Sequence, residues 1–151
     1  MNNQNRYFLQ KAVKALKELH FKPENIMVTG SIALDMQGVS NRIAHDVDLI
    51  IKMDEQAWRC LKLIEAINLA DDEVKAPKDY DSQARKRMIF LNVDGLILNI
   101  WKYDEGTDWS EIKDAETGVY VATVNHIIKA KKKYARDKDF KDIYEIIKGL
   151  V

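Results

Sequence analysis

The part of the sequence that decides the fold is Ile26-Met27-Val28-Thr29-Gly30-Ser31, followed fifteen positions after Ser31 by Asp46-Val47-Asp48-Leu49-Ile50-Ile51. The first run is apolar and stops at a glycine, which predicts a short buried strand. Ser31 is then expected to cap a helix that Gly38 ends. The second run predicts a strand that is acidic at its head and apolar at its end. Strand, tight turn, short helix and strand therefore form the centre of the predicted fold.

Helical periodicity flanks this centre on both sides. Apolar residues three and four positions apart predict an amphipathic helix from about Arg6 to His20, ended by Pro23. Asp54 is expected to cap a second helix that extends to Leu69. The polar segment Ala70 to Gln83 is interpreted as a loop.

The second half of the chain carries a hairpin signal and two helix signals. Met88 to Val93 and Leu96 to Tyr103 are strand-like runs separated by Asp94-Gly95 alone, and a two-residue turn of this kind is typical of a β-hairpin. A short strand is expected at Val119 to Val121. Helices are expected from Thr123 and from Asp137 or Lys138 to Lys148. The face predicted for the last helix comprises Phe140, Ile143, Tyr144 and Ile147.

These elements predict one domain over residues 1–151, of the α/β (α+β) class. We expect a mixed sheet of about four or five strands with flanking helices and a helical C-terminal tail from about residue 123. Hydrophobic residues make up 46% of the chain, which is enough to build a core. The sequence is therefore not that of a disordered tail.

Charge and cysteine content exclude several functional classes. The 24 Lys and Arg residues balance 24 Asp and Glu residues, which argues against a globally basic nucleic-acid coat. Cys60 is the single cysteine, so the chain cannot form an internal disulfide, and a reducing, cytoplasmic setting is expected. No apolar run approaches about 18 residues and the N-terminus is polar, so we expect neither a membrane span nor a signal peptide.

Asp46 and Asp48 are the candidate metal ligands. Residues two apart on a strand point to the same face, with backbones about 7 Å apart. Two carboxylates so placed repel each other unless a cation lies between them, and oxygen ligands suit Mg²⁺. The alternative is a solvent-exposed strand end, although strands generally disfavour Asp.

The Gly30-Ser31 turn is a candidate phosphate site. Glycine allows close approach to the backbone, and free amides at a helix start favour an anion. Strand-Gly-Ser-helix turns are also ordinary connections, so this signal is weak when it stands alone.

Together the two motifs resemble those of the nucleotidyltransferase superfamily with the polymerase-β-like fold. The segment Arg42 to His45 is similar to the basic run that precedes the acids in that superfamily. The C-terminal residues are similar to the tail of small bacterial members, including abortive-infection and toxin–antitoxin nucleotidyltransferases. The residues that carry this second likeness are Ile127, Ile128, Lys131, Arg136, Lys138, Asp139 and Asp142.

The resemblance implies transfer of a nucleoside monophosphate from an NTP to an acceptor hydroxyl. In that chemistry Asp46 and Asp48 would hold Mg²⁺. The nucleotide would be bound by Gly30, Ser31, Arg42 and Lys131, with Arg136 as an alternative to Lys131. The acceptor would be a small molecule, a tRNA or a protein, and the toxin–antitoxin likeness allows for a cognate protein partner. No membrane partner is expected.

The chain departs from the superfamily pattern at Asn99. Counting from the hairpin glycine, Gly95, this is the position of the third carboxylate, which belongs to the catalytic set. Asn is neutral and cannot serve as a general base. Three explanations stay open: reduced activity, substitution by another acid such as Asp104, or nucleotide binding without turnover. The rival functions are a degenerate nucleotide- or partner-binding module and a plain α/β interaction domain.

Overall fold

The computed structural model describes residues 1–70, 86–134 and 137–150. The expected 70–83 loop lies outside these ranges from residue 71 onward, as does Arg136. Within these ranges the helices are α1 (Asn3–Glu18), α2 (Gly30–Met36), α3 (Glu55–Leu69), α4 (Val124–Tyr134) and α5 (Asp137–Leu150). The strands are β1 (Ile26–Thr29), β2 (Asp46–Ile51), β3 (Met88–Val93), β4 (Leu96–Lys102) and β5 (Tyr120–Val121).

The strands form one mixed sheet in the order β3-β4-β2-β1-β5. β1 runs antiparallel to β2 and parallel to β5, while β4 runs parallel to β2 and antiparallel to β3. The predicted fold class, a mixed sheet with flanking helices and a helical C-terminal tail, is confirmed. Among the described residues, the helices are all too short or too polar to cross a membrane.

The central strand β2 separates core from site by simple alternation. Val47, Leu49 and Ile51 are fully buried on one face, whereas Asp46 and Asp48 lie on the other. Both α1 and α2 contact β2. Their buried apolar side chains belong to the same core cluster and comprise Leu9, Ala12, Val13, Leu16, Ile32, Ala33 and Leu34. Burial of the alternate apolar residues therefore fixes which face carries the acids.

The β3–β4 hairpin forms as predicted. Asp94 and Gly95 both have positive φ, at 50° and 88°, as a two-residue turn between right-twisted strands requires. Asn92 Oδ1 accepts a hydrogen bond from the Gly95 amide at 2.9 Å. β4 ends at Lys102, one residue before the predicted Tyr103.

Two predicted helix starts are wrong. α1 begins at Asn3 because the Asn2 side chain accepts hydrogen bonds from the amides that follow it, so the cap lies earlier than the apolar pattern indicates. α2 begins at Gly30, and Ser31 is the second residue of the helix rather than its cap. The predicted stop at Gly38 is confirmed, with φ of 73° just beyond the helix.

The apolar residues predicted to share one face of α5 are mostly exposed. Ile143 is buried, but Phe140, Tyr144 and Ile147 are each more than half exposed. The buried face instead comprises Asp139, Ile143 and Ile146. A polar residue occupies the position at which an apolar pattern search expects a hydrophobe.

Helix α3 protects the free edge of the sheet. β3 is an edge strand, and an unpaired strand edge exposes backbone donors and acceptors. Glu65 Oε2 accepts a hydrogen bond from the Phe90 amide at 2.6 Å, and Asn68 Oδ1 accepts one from the Asn92 amide at 3.1 Å. Lys62 Nζ donates to the carbonyl of Met88. The edge of β3 is thus hydrogen-bonded by side chains.

We expect Glu65→Ala to lower the free energy of unfolding by about 1–3 kcal/mol, because the buried Phe90 amide loses its acceptor. Glu55→Ala is the control, since Glu55 forms exposed ion pairs with Arg59 and Lys102, which contribute about 0–1 kcal/mol. Urea unfolding of both variants measures the difference. Equal losses would show that the edge contact does not stabilise the sheet.

Candidate functional site

The three residues of the predicted catalytic set lie together. Asp46 and Asp48 project from the same face of β2, and Asn99 is the register partner of Asp48 on β4. Asn99 Nδ2 donates to Asp46 Oδ2 at 2.9 Å and to Asp48 Oδ1 at 3.2 Å. The amide group therefore bridges the two carboxylates.

Asn99 is deeply buried, with only 1% of its surface exposed. Its Oδ1 has no hydrogen-bond partner among the residues that the structure describes. A buried amide oxygen without a partner carries a desolvation cost, which a cation or a donor at this position would remove.

The electrostatics of the site are dominated by Asp48. Burial, followed by the neighbouring charge of Asp46, raises the pKa of Asp48 to about 7. The hydrogen bond from Asn99 and the positive charges of Lys131 and Lys138 act in the opposite direction and do not offset this rise. The site therefore favours an added positive charge.

Gly30 lies in direct contact with this carboxylate. Its φ is +67°, and a Cβ at this position would overlap Asp48 Oδ2. Gly30 was predicted to allow close approach of a ligand. It has a second role, because the absence of a side chain leaves room for the Asp48 carboxylate. The turn and the acid pair form one unit.

Ser31, Arg42 and Lys131 are also brought together, and Asp142 on α5 links them. Arg42 Nη2 donates to Ser31 Oγ at 3.1 Å, and Arg42 Nη1 lies 3.7 Å from Asp142 Oδ1. Lys131 Nζ donates to Asp142 Oδ2 at 2.8 Å. The predicted nucleotide-binding residues therefore form a continuous polar network beside Gly30.

The loop that carries Arg42 is fixed from α1 by Asn5. Asn5 is fully buried, and its Nδ2 donates to the Arg42 carbonyl at 3.0 Å and to Asp35 Oδ2 at 2.8 Å. Its Oδ1 accepts a hydrogen bond from the Ala44 amide at 2.8 Å. One side chain thus holds the backbone on both sides of residue 43, ahead of the acid pair.

Part of this site opens onto a cleft of about 1350 Å³. Gly30, Asp48 and Lys131 line it, together with Asp139 and His126. Asp139 is only 1% exposed. His126 is half-buried, and burial lowers its pKa despite the opposing charge of Asp108. A cleft of this volume is large enough for a small-molecule ligand.

The two acids closest to β4 in the sequence do not join the pair. Asp94 is exposed in the hairpin turn, and Asp104 is exposed in the loop after β4, at the border of the cleft. Within the described ranges, no group of three or more His, Cys, Asp or Glu residues has a metal-site arrangement. Two carboxylates and the unpartnered Oδ1 of Asn99 are hard oxygen donors and fit Mg²⁺.

No role was assigned to Asn5, Asp139 or Asp142 from the sequence. Asp139 and Asp142 occur in the C-terminal segment that carries the family likeness, so that likeness was a signal for them. Asn5 gave no signal, because a polar residue in the first turn of a helix is common.

The arrangement of sheet and helices is that of a nucleotidyltransferase-like fold. The structure is similar to the crystal structure of TM1012 from Thermotoga maritima, a protein described provisionally as a nucleotidyltransferase. The TM-score is 0.50 and the sequence identity 19%, over 98% of this chain and 96% of that one. No protein-family model and no curated protein matches the chain. The likeness establishes the fold.

Gly30→Ala should destabilise the protein more than Gly38→Ala. Both glycines have positive φ, which costs a residue with a side chain about 1–2 kcal/mol. Nothing lies within 4 Å of a Cβ at Gly38, whereas at Gly30 the new methyl group would displace the Asp48 carboxylate. Urea unfolding of the two variants isolates that difference, and equal losses would contradict the contact.

The raised pKa of Asp48 predicts a pH-dependent stability. In the unfolded chain this carboxyl titrates at about 4. The contribution of its protonation to the free energy of unfolding is therefore complete below that pH and is lost as pH rises through about 7. In Asp48→Asn this loss should disappear. The lowered pKa of His126 makes an opposite contribution below about pH 6.5, but it is present in both proteins.

Urea unfolding of parent and Asp48→Asn from pH 4 to 8, without divalent metal, gives the difference in free energy of unfolding. We expect the difference to change in favour of the variant as pH rises. A difference that is constant over this range would show that Asp48 titrates normally.

Proposed function

We propose that this protein is a Mg²⁺-dependent nucleotidyltransferase that transfers a nucleoside monophosphate from an NTP to an acceptor hydroxyl. The observation that carries the proposal is the contact between Gly30 and Asp48, one acid of the Asp46–Asp48 pair, at the edge of a large cleft. Phosphate-binding and metal-binding candidates from separate parts of the sequence meet at one place. The nucleotidyltransferase-like fold is consistent with this function.

In this proposal Asp46 and Asp48 hold Mg²⁺, and Asn99 lies beside them. The bound metal would neutralise charge on the phosphates and orient the attacking oxygen. The amides around Gly30 and the Ser31 hydroxyl would bind phosphate oxygens. Lys131 would add positive charge at the cleft and Arg42 beside Ser31, and Asp142 contacts both side chains.

A second candidate function is nucleotide binding without turnover. It is favoured by Asn99, since a neutral amide provides neither the third negative charge nor a base. Asp139 is a buried acid on the same cleft, but it lies on α5 rather than on the strand. Both candidate functions require nucleotide binding, and only the first includes transfer of the nucleoside monophosphate.

Binding is tested by thermal unfolding with Mg²⁺ and each NTP in turn. A ligand at about 100 times its Kd should raise the free energy of unfolding by about 2.7 kcal/mol. Asp46→Asn and Asp48→Asn should each lose most of this stabilisation. Asp94→Asn is the matched control, since Asp94 is exposed in the hairpin turn, and it should respond like the parent.

Three outcomes distinguish the functions. If the parent is not stabilised by any Mg²⁺–NTP mixture, both nucleotide functions fail and a plain interaction domain remains. Transfer of label from an α-labelled NTP to a small-molecule, RNA or protein acceptor supports the transferase. Stabilisation without transfer to any of these acceptors supports the binding module.

A further inference from the structure

We infer that Asn99 is a two-position ligand: its amide hydrogens hold the acid pair together without metal, and its Oδ1 turns inward when a divalent cation binds. The inference rests on the proposed metal site. It adds which atoms of Asn99 face the two carboxylates in the metal-free and in the metal-bound protein. It starts from two observations on one side chain, the double hydrogen bond of Nδ2 and the unpartnered Oδ1.

Without a cation, and with both carboxylates ionised, only one orientation of the amide is compatible with its neighbours. Asp46 and Asp48 present acceptor oxygens, and the Asn99 NH₂ group carries two donors. At 2.9 Å and 3.2 Å, each carboxylate receives one of those hydrogens. The opposite orientation would place a partly negative oxygen against two carboxylates. The NH₂ group therefore occupies the place of a cation.

A divalent cation between the carboxylates reverses this preference. The NH₂ hydrogens would then face a positive charge, whereas Oδ1 would supply a hard oxygen ligand. The terminal torsion of Asn is roughly two-fold, and its oxygen and nitrogen are similar in size, so the turned amide fits the same space. The turn also gives the buried, unpartnered oxygen a partner.

Charge gives this arrangement a second consequence. With Asn99, the three ligands carry at most two negative charges, one fewer than three carboxylates would. A Mg²⁺ ion at such a site retains more positive charge for other ligands, which triphosphate oxygens would satisfy. Mg²⁺ and NTP should therefore each strengthen the binding of the other by the same factor.

The first test observes the amide directly in the parent protein. In a sample labelled with ¹³C and ¹⁵N, the Asn99 side-chain NH₂ signals are assigned by their absence from Asn99→Asp. Saturating Mg²⁺ should shift both proton signals upfield as their hydrogen bonds to carboxylates are lost. Unchanged Asn99 signals, in a sample whose Asp46 and Asp48 carboxyl ¹³C signals move with Mg²⁺, would overturn the inference.

Calorimetric titration of Mg²⁺ into variants provides the second test. Asn99→Ala removes both the hydrogens and the oxygen, and should weaken Mg²⁺ binding at least tenfold if Oδ1 is a ligand. Asn99→Asp should tighten it at least tenfold. Asn92→Asp is the matched control on the neighbouring strand, and it should change affinity far less. Equal or tighter binding by Asn99→Ala would mean that the amide only competes with the metal, which overturns the inference.

The outcomes separate this inference from the proposed function. Mg²⁺–NTP binding by the parent with an unmoved Asn99 amide overturns the two-position ligand and leaves the function standing. Absence of Mg²⁺ binding to the parent, with or without NTP, overturns both. The NMR readout comes from the parent, so a variant that fails to fold does not remove the test.

Discussion

The repulsion between Asp46 and Asp48 is the constraint on which the site depends. Apolar alternation along β2 directs both carboxylates to one face, so the chain cannot separate them without exposing its core. On the neighbouring strand, the Asn99 amide donates hydrogen bonds to both carboxylates. Lys131 on α4 and Lys138 on α5 contribute positive charges that favour ionised Asp48. The core on one face of the sheet thus holds a strained charge pair on the other.

Much of the fold could be predicted from local pattern. The Asp94-Gly95 hairpin and the helix stop at Gly38 depend on backbone preferences that few residue types satisfy, and the strand at Asp46 follows from its apolar alternation. The placement of Asn99 beside the acid pair also followed, because a polar residue in an apolar strand must face other polar groups. The roles of these site residues stay predictions.

What the sequence could not reveal depends on contacts between distant segments. Asn5 holds the loop before β2 from a helix some forty residues earlier, and its own neighbourhood in the sequence looks ordinary. The apolar pattern of α5 does not reveal which side of the helix is buried, because the buried side includes the polar residue Asp139. Glu65 likewise lies in a helix, but its side chain accepts a hydrogen bond from the backbone amide of Phe90 on β3.

The Asp142 contacts have a consequence for the order in which the molecule is completed. Arg42 and Asp142 are separated by about one hundred residues, and contacts across such distances are entropically costly to form early. During synthesis the acid pair on β2 emerges long before α5 does. In a nascent chain Arg42 would therefore lack its contact with Asp142, so the polar network beside Gly30 is completed last.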